Sequence, residues 1–284
     1  MTPGRSRTRF LAHDLDTPGA EELAAAVFRV LPAAERERVL RLHLPSDRTR
    51  STIARWLARR AAADLVGEPW TALRLARHAD GRPRVEDRPE LSLSIAHSGR
   101  YAMAAVAVGA LVGIDTEQVS RVAALPDSFF LTPAESAALP PAAEGPEHRA
   151  ALWVLKEAAV KLTGEGLRGG LRRIGFEPRG ECLPYVARTT YTTAEFRALR
   201  LPGGYVAAVG VSSGTPPHRP EFVGAARGTG PATERTDCPW TTEPTSTARE
   251  HPRTAPVTAV ALTAEERAQG HDEELEPHIW LSVN

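Results

Sequence analysis

The sequence predicts an α+β protein made of two similar α+β halves about a pseudo-twofold, followed by a C-terminal tail expected to be disordered. Three observations carry this reading. The segments WLARRAAADLVG (56–67) and WVLKEAAVKLTG (153–164) share a Trp, paired alanines, a leucine and a closing Gly at matching positions. The segments GRYAMAAVAV (99–108) and GGYVAAVGV (203–211) repeat a Gly-x-Tyr turn running into an apolar strand, in the same order and at nearly the same offset. From Gly214 the chain becomes rich in Pro, Thr, Gly and Arg and loses its apolar periodicity, so it cannot bury enough surface to offset its ordering entropy. The halves are read as 1–112 and 113–213 and the tail as 214–284, with a short helix expected for VTAVALTAEERAQ.

The elements follow in order. Leu152, Leu155, Ala159 and Leu162 form a stripe at helical spacing, and Gly164 suits a left-handed C-terminal cap. In ELSLSIAHSGR, Leu91, Leu93 and Ile95 alternate as in a half-buried strand, which stops at His97-Ser98-Gly99. The small apolar run YAMAAVAVGALV reads as a buried strand, and it leads into GIDTEQ (113–118), where two acids stand one residue apart.

Composition narrows the function classes. The 284 residues have 42% hydrophobic and 25% charged content, ordinary for a soluble globular protein. The formal net charge is zero, so no global field favours nucleic acid or a membrane surface. Cys182 and Cys238 are far apart and outside any C-x-x-C spacing, which argues against a disulfide scaffold or thiolate zinc site. With no stretch of eighteen apolar residues and no apolar h-region behind the N-terminus, the chain is read as cytoplasmic. G-x-S-x-G, Walker A and H-E-x-x-H are absent, so the corresponding hydrolases, NTPases and zinc proteases have no support.

Side chains two apart on a strand share a face, so Asp115 and Glu117 aim at one spot beyond the strand end. Paired carboxylates of this kind hold a hard cation such as Mg2+, or else form a solvated pair. Trp153, Glu157 and Lys161 share one helical face, where Glu and Lys four apart are equally the favoured surface ion pair. Glu157 can complete a three-carboxylate site, with Lys156 and Lys161 supplying positive charge for phosphate. His97 ends its strand in a donor-rich turn, with Arg82 in DGRPRV and the basic run DRTRSTIAR upstream.

Together IAHSGR, VGIDTE and WVLKEAAVKLTGEGL resemble the signature segments of the Sfp-type 4'-phosphopantetheinyl transferases, over roughly residues 25 to 212. The resemblance implies two similar α+β halves with coenzyme A in the cleft between them. The reaction it implies is transfer of the 4'-phosphopantetheine arm to a serine of an acyl or peptidyl carrier protein, releasing adenosine 3',5'-bisphosphate. From its neutral charge and lack of long apolar stretches the chain is expected to act without nucleic acid or membrane, and as a monomer. By the same carry-over Asp115, Glu117 and Glu157 bind Mg2+, while Lys156 and Lys161 meet phosphate, Lys161 being the pyrophosphate ligand. His97, Arg82, Arg50, Ser51 and Arg38 contact the phosphates or nucleotide of coenzyme A. Glu157 is the candidate base for the serine proton, a role that a water on the metal can share, because ligation lowers a carboxylate's basicity.

The family segment usually begins with Ser where this chain has Ala96, which implies one hydroxyl fewer near the nucleotide and weaker coenzyme A binding. FFLTPAE (129–135) matches the region that meets the carrier, with Phe129 and Phe130 as either apolar anchors or plain core. The competing readings are a degenerate binder of coenzyme A or carrier protein, hinted at by Ala96, and an unrelated Mg2+-dependent phosphotransfer enzyme.

Overall fold

The structure is a computed structural model and describes residues 7–140, 145–166, 170–179, 185–189, 192–212 and 220–223. The chain begins with β1 (Arg7–Asp14), α1 (Ala20–Val30), α2 (Ala33–Leu40) and the long α3 (Pro45–Val66). A short hairpin, β2 (Leu75–Arg77) and β3 (Pro83–Val85), leads to β4 (Leu91–Ser98) and β5 (Tyr101–Val108). Next come β6 (Val112–Gln118), three short helices α4 (Val119–Ala123), α5 (Asp127–Phe130) and α6 (Pro133–Ala138), and the long α7 (Gly145–Thr163). The remainder is β7 (Phe176–Arg179), β8 (Tyr185–Thr189), β9 (Glu195–Leu201), β10 (Tyr205–Val211) and β11 (Glu221–Phe222).

The alanine-rich strand β5 fixes the layering. Tyr101, Met103, Ala105 and Ala107 point into one apolar cluster, whereas Ala102, Ala104 and Val106 point into another. A strand buried on both faces needs a layer on each side. On one side lies α3, whose Ile53, Leu57, Ala61 and Ala62 are fully buried. On the other lies a second sheet, whose Val112, Ile114, Ala207 and Val209 complete the inter-sheet cluster. The far face of that second sheet is covered by α7 through Leu155, Ala158 and Ala159 against Ala198, Val206 and Ala208. The order is helix, sheet, sheet, helix. The sheets run β11-β1-β5-β4 and β6-β10-β9-β8-β7, antiparallel except for the parallel β1–β11 pair.

Both long helices end on left-handed glycines, Gly67 at φ 77° and Gly164 at φ 74°, as the repeated Gly predicts. The repeated Gly-x-Tyr turns meet across the seam: the Tyr101 and Tyr205 rings pack edge to face with centroids 5.2 Å apart, and the Tyr101 hydroxyl donates to the Pro202 carbonyl at 3.1 Å. Among the described residues no helix is long and apolar enough to cross a membrane.

The expectation of a disordered tail from residue 214 is corrected at its near end. Residues 220–223 extend the first sheet: Val223 N–H donates to the Ala12 carbonyl at 2.9 Å, and Phe222 packs on Tyr101. The physical reason is the otherwise unpaired edge of β1, together with buried His13, whose Nδ1 donates to the Val223 carbonyl at 2.5 Å. Two residues of pairing are too short to leave a periodic signal. The helix expected near the C-terminus, and both cysteines, fall outside the described residues.

A chain ending at residue 213 therefore loses stability, whereas one ending at 224 keeps it. Leaving a buried donor such as His13 without its partner costs about 1–3 kcal/mol, so chemical denaturation of the shorter chain should give a lower midpoint. Equal midpoints for the two truncations would show that the short strand contributes nothing.

Candidate active site

The site begins with a close approach. Val112 and Ile114 of β6 point into the inter-sheet core, so Gly113, Asp115 and Glu117 turn toward α7 and the strand end. A Cβ on Gly113 would lie 1.9 Å from the Ala158 carbonyl oxygen and 2.9 Å from Leu162 Cβ. Glycine is thus the residue that lets α7 rest directly on β6. Glu157 and Lys161, the residues just before the contacting Ala158 and Leu162, are presented by the helix beside the strand. Lys161 Nζ donates to Asp115 Oδ1 at 2.8 Å and lies 3.5 Å from the Ile95 carbonyl of the first sheet.

Three carboxylates and one ammonium therefore share a buried site at the seam. Asp115 and Glu157 are each 5% exposed. Burial, opposed by Lys161 and reinforced by Glu117, raises the Asp115 carboxyl to about 6. Burial, with Asp115 next in effect, raises Glu157 to about 8. Glu157 Oε1 has no hydrogen-bond partner. Glu117 Oε1 accepts from the Ser98 hydroxyl of β4 and from Gln118 N–H at 2.7 Å. Among the described residues no three acid, His or Cys side chains already form a cation cage; here Lys161 and Ser98 occupy the acids instead. The excess negative charge and the orphaned Glu157 oxygen fit a divalent cation in chemistry, because a hard cation takes carboxylate oxygens and relieves their mutual repulsion.

A recess beside this cluster gathers cations. Arg38 of α2, Arg55 of α3, Arg77 of β2 and His97 of β4 line it, with Glu35 behind them. Burial and then the neighbouring guanidinium groups lower Arg55 to about 10 against the pull of Glu35, and burial and Arg38 lower Arg77. His97 is pushed down to about 4, first by burial and then by Lys161, Arg50 and Arg55. Cations crowded enough to repel one another favour an anion among them.

The structure brings together Asp115, Glu117, Glu157 and Lys161 at the seam, and Arg38 and His97 in the recess. Arg82 pairs with Asp80 at 2.8 Å and packs over Gly164 at the end of α7. Arg50 donates to the Gly99 carbonyl at 3.0 Å and pairs with Asp47. Ser51 is fully buried, and its hydroxyl accepts from Arg55, so it supports the recess without opening onto it. Arg55 and Arg77 are additions to the sequence reading. The signal for Arg55 is its position at the end of DRTRSTIAR, one helical turn after Ser51.

Two expectations are corrected. Lys156 is not a phosphate ligand: its side chain is fully buried away from the seam, where Nζ donates to the Phe130 carbonyl at 2.7 Å and to Glu135 at 2.6 Å. Adjacent helical residues point about 100° apart, so Glu157 and Lys156 cannot serve the same face. Ala96 does not border this recess. Ile95 and His97 face that recess, while Ala96, fully buried, faces the inter-sheet core with Phe10 and Tyr101. The two phenylalanines divide: Phe130 is core, whereas Phe129 is 39% exposed and stacks on Trp153.

An acidic cluster beside a cationic recess, at a seam between two α/β layers, has the charge pattern to receive an anion and a cation side by side. The 4'-phosphopantetheinyl transferase N-terminal model matches residues 17–109, and the 4'-phosphopantetheinyl transferase superfamily model matches residues 111–210. Together they cover more than half of the sequence, and the chain belongs to the 4'-phosphopantetheinyl transferase superfamily. It is 32% identical over 146 residues to the 4'-phosphopantetheinyl transferase psf-1 of Bacillus pumilus, covering 51% of this chain and 60% of that one. It is 27% identical over 157 residues to a 4'-phosphopantetheinyl transferase of Bacillus subtilis, covering 54% and 69%. The human L-aminoadipate-semialdehyde dehydrogenase-phosphopantetheinyl transferase is 27% identical over 175 residues, with 56% of each chain covered. The chain thus spans about 60% of the length of the first of these relatives.

The raised carboxyls give a pH signature. Folded Glu157 and Asp115 hold protons at pH values where the unfolded chain has released them, so without a divalent cation stability falls as pH rises from about 4 to about 8. A cation needs both acids ionised, so its stabilisation grows over the same window. The gap in melting temperature between millimolar Mg2+ and chelator should widen from about pH 5 to about pH 8, and Glu157→Gln should remove most of that widening. A gap that narrows with rising pH would contradict this charge arrangement.

Proposed function

We propose that this chain is an Mg2+-dependent enzyme of the holo-acyl-carrier-protein synthase type, a cytoplasmic monomer that moves the 4'-phosphopantetheine arm of coenzyme A to a serine of an acyl or peptidyl carrier protein. The observation that carries the proposal is the juxtaposition of the Asp115, Glu157 and Lys161 cluster with the Arg38, Arg55, Arg77 and His97 recess. Coenzyme A carries its charge at two places, a pyrophosphate and a 3'-phosphate, and the two cation-bearing regions match that division. Contact of the repeated turns at Tyr101 and Tyr205 also supports the reading of the body as two related halves about a pseudo-twofold.

In this reading the recess arginines and neutral His97 hold the nucleotide end, which sets the pyrophosphate against the seam. Asp115, Glu157 and Glu117 would hold Mg2+, which when bound compensates the pyrophosphate charge. Lys161 Nζ, reaching between Asp115 and the first sheet, is placed to donate to a phosphate oxygen as charge develops on it. Glu157 Oε1, which no protein hydrogen bond occupies, is the candidate acceptor of the serine proton, a role that a bound cation would weaken by lowering the carboxylate's basicity and that a water could share. The serine oxygen bonds to the phosphorus bearing pantetheine, the pyrophosphate bridge breaks, and adenosine 3',5'-bisphosphate leaves with the electron pair. Positioning and charge compensation are the main demands of phosphoryl transfer. The degenerate-binder reading loses its one hint, because Ala96 lies away from the recess.

Incubation of the chain with coenzyme A, Mg2+ and apo carrier proteins of fatty acid, polyketide and peptide assembly tests the proposal. Mass spectrometry should show one phosphopantetheine added to a carrier serine. Asp115→Asn and Glu157→Gln should lower the rate by about 100-fold or more, the scale set by loss of charge stabilisation or a general base. Absence of any mass gain on every carrier would refute the transfer reading.

A further inference from the structure

Residues 92, 94, 96 and 98 lie on one face of β4, and that face meets the free edge of β6 across the seam. Ser92 Oγ accepts Val112 N–H and Ser94 Oγ accepts Ile114 N–H, each at 3.1 Å. These rungs satisfy the backbone of an edge strand whose other side pairs with β10. Ala96, which has no side-chain oxygen, breaks the series. At the last rung the hydrogen bond reverses direction. The Ser98 hydroxyl donates to Glu117 Oε1, a side-chain carboxylate.

This rung differs physically from the others. It is charge-assisted, and so stronger than a neutral bond. Ser98 is 4% exposed, so water hardly competes for its hydroxyl. Glu117 is the least buried of the three acids, its side chain 23% exposed, so packing alone holds its conformers least firmly. Its other nearby cation, Arg121, is 3.7 Å from Oε1 and 65% exposed, a geometry that contributes little.

We propose that Ser98 is a positioning residue, whose hydroxyl, supplied by the first sheet, presets the Glu117 carboxylate of the second sheet beside Asp115 for a divalent cation. The inference rests on the reading that these acids hold such a cation. With Oε1 held by Ser98 and by Gln118 N–H, Oε2 is the oxygen left for a cation. A hydrogen-bond partner behind a metal-binding side chain governs affinity by roughly 10–100-fold.

The test is Mn2+ binding to the full chain in saturating coenzyme A, read by the paramagnetic resonance of free Mn2+, with thermal unfolding measured alongside. Ser98→Ala should weaken Mn2+ binding by about 10–100-fold, while Ser98→Thr, which keeps the hydroxyl, should stay within about threefold of the original chain. Ser92→Ala removes a rung of the same seam far from the acids, so it should lower the melting temperature and leave Mn2+ affinity unchanged. Should Ser98→Ala fail to fold, Ser98→Cys, similar in size with a much weaker donor, carries the same expectation of weakened binding. Unchanged affinity in Ser98→Ala or Ser98→Cys, or equal weakening in Ser92→Ala, overturns the proposal. If the original chain binds no Mn2+, the metal reading beneath it fails instead, so the two failures are separable.

Discussion

The contact of Gly113 with the Ala158 carbonyl is the constraint on which the rest of the site depends. With 1.9 Å between a would-be Cβ and that oxygen, any other residue would lift α7 from β6. Glu157 and Lys161 stand on either side of Ala158, so lifting the helix would draw both from Asp115. Backbone proximity thus allows a short, inflexible arrangement of charges where long side chains on separated elements would have to reach. It also excludes water, which is why the acids are driven toward their protonated forms and why the lone ammonium among them pairs so closely.

A second consequence follows from the layering. Because β5 and β10 are buried on both faces, they are made mostly of Ala, Val and Gly, small enough to let sheet meet sheet and helix meet sheet. The price is a core with few large side chains, and the structure compensates with polar ties at its edges. Glu135 is one such tie: it caps α6 through Thr132, receives Lys156, and accepts Phe176 N–H at 2.9 Å. Glu35 is another, joining Arg59 and Leu75 N–H behind the cationic recess. Each is a buried charge held by several donors, an arrangement in which loss of one partner is far costlier than the net worth of the pair.

Much of this was legible in the sequence because it is periodic or local. The stripe of α7 with its glycine cap, the strand-ending acids and the repeated Gly-x-Tyr turns all leave marks within a few residues. Asp115, Glu117, Glu157 and Lys161 were accessible since strand and helix periods fix which side chains share a face. What was not legible depends on partners distant in sequence. Lys156 resembles Lys161 in one dimension, and only packing against Phe130 and Glu135 separates their roles. Ala96 looked like a loss near the ligand, but the alternation of Ile95, Ala96 and His97 places it on the seam face. Arg77 stands in a strand of three residues, too short for a period, and β11 has two.

The central claim is that charge for the ligand is assembled from both halves at one seam, acids on β6 and α7 of the second and arginines on α2, α3 and the β2–β3 hairpin of the first. Anomalous diffraction from crystals grown with Mn2+ and coenzyme A tests it most directly, because it locates the metal and the phosphates in one experiment. The account predicts a Mn2+ peak bounded by Asp115, Glu117 and Glu157, with the 3'-phosphate against Arg38, Arg55 and Arg77. A Mn2+ peak remote from these three acids, or a nucleotide bound outside the arginine recess, would contradict it.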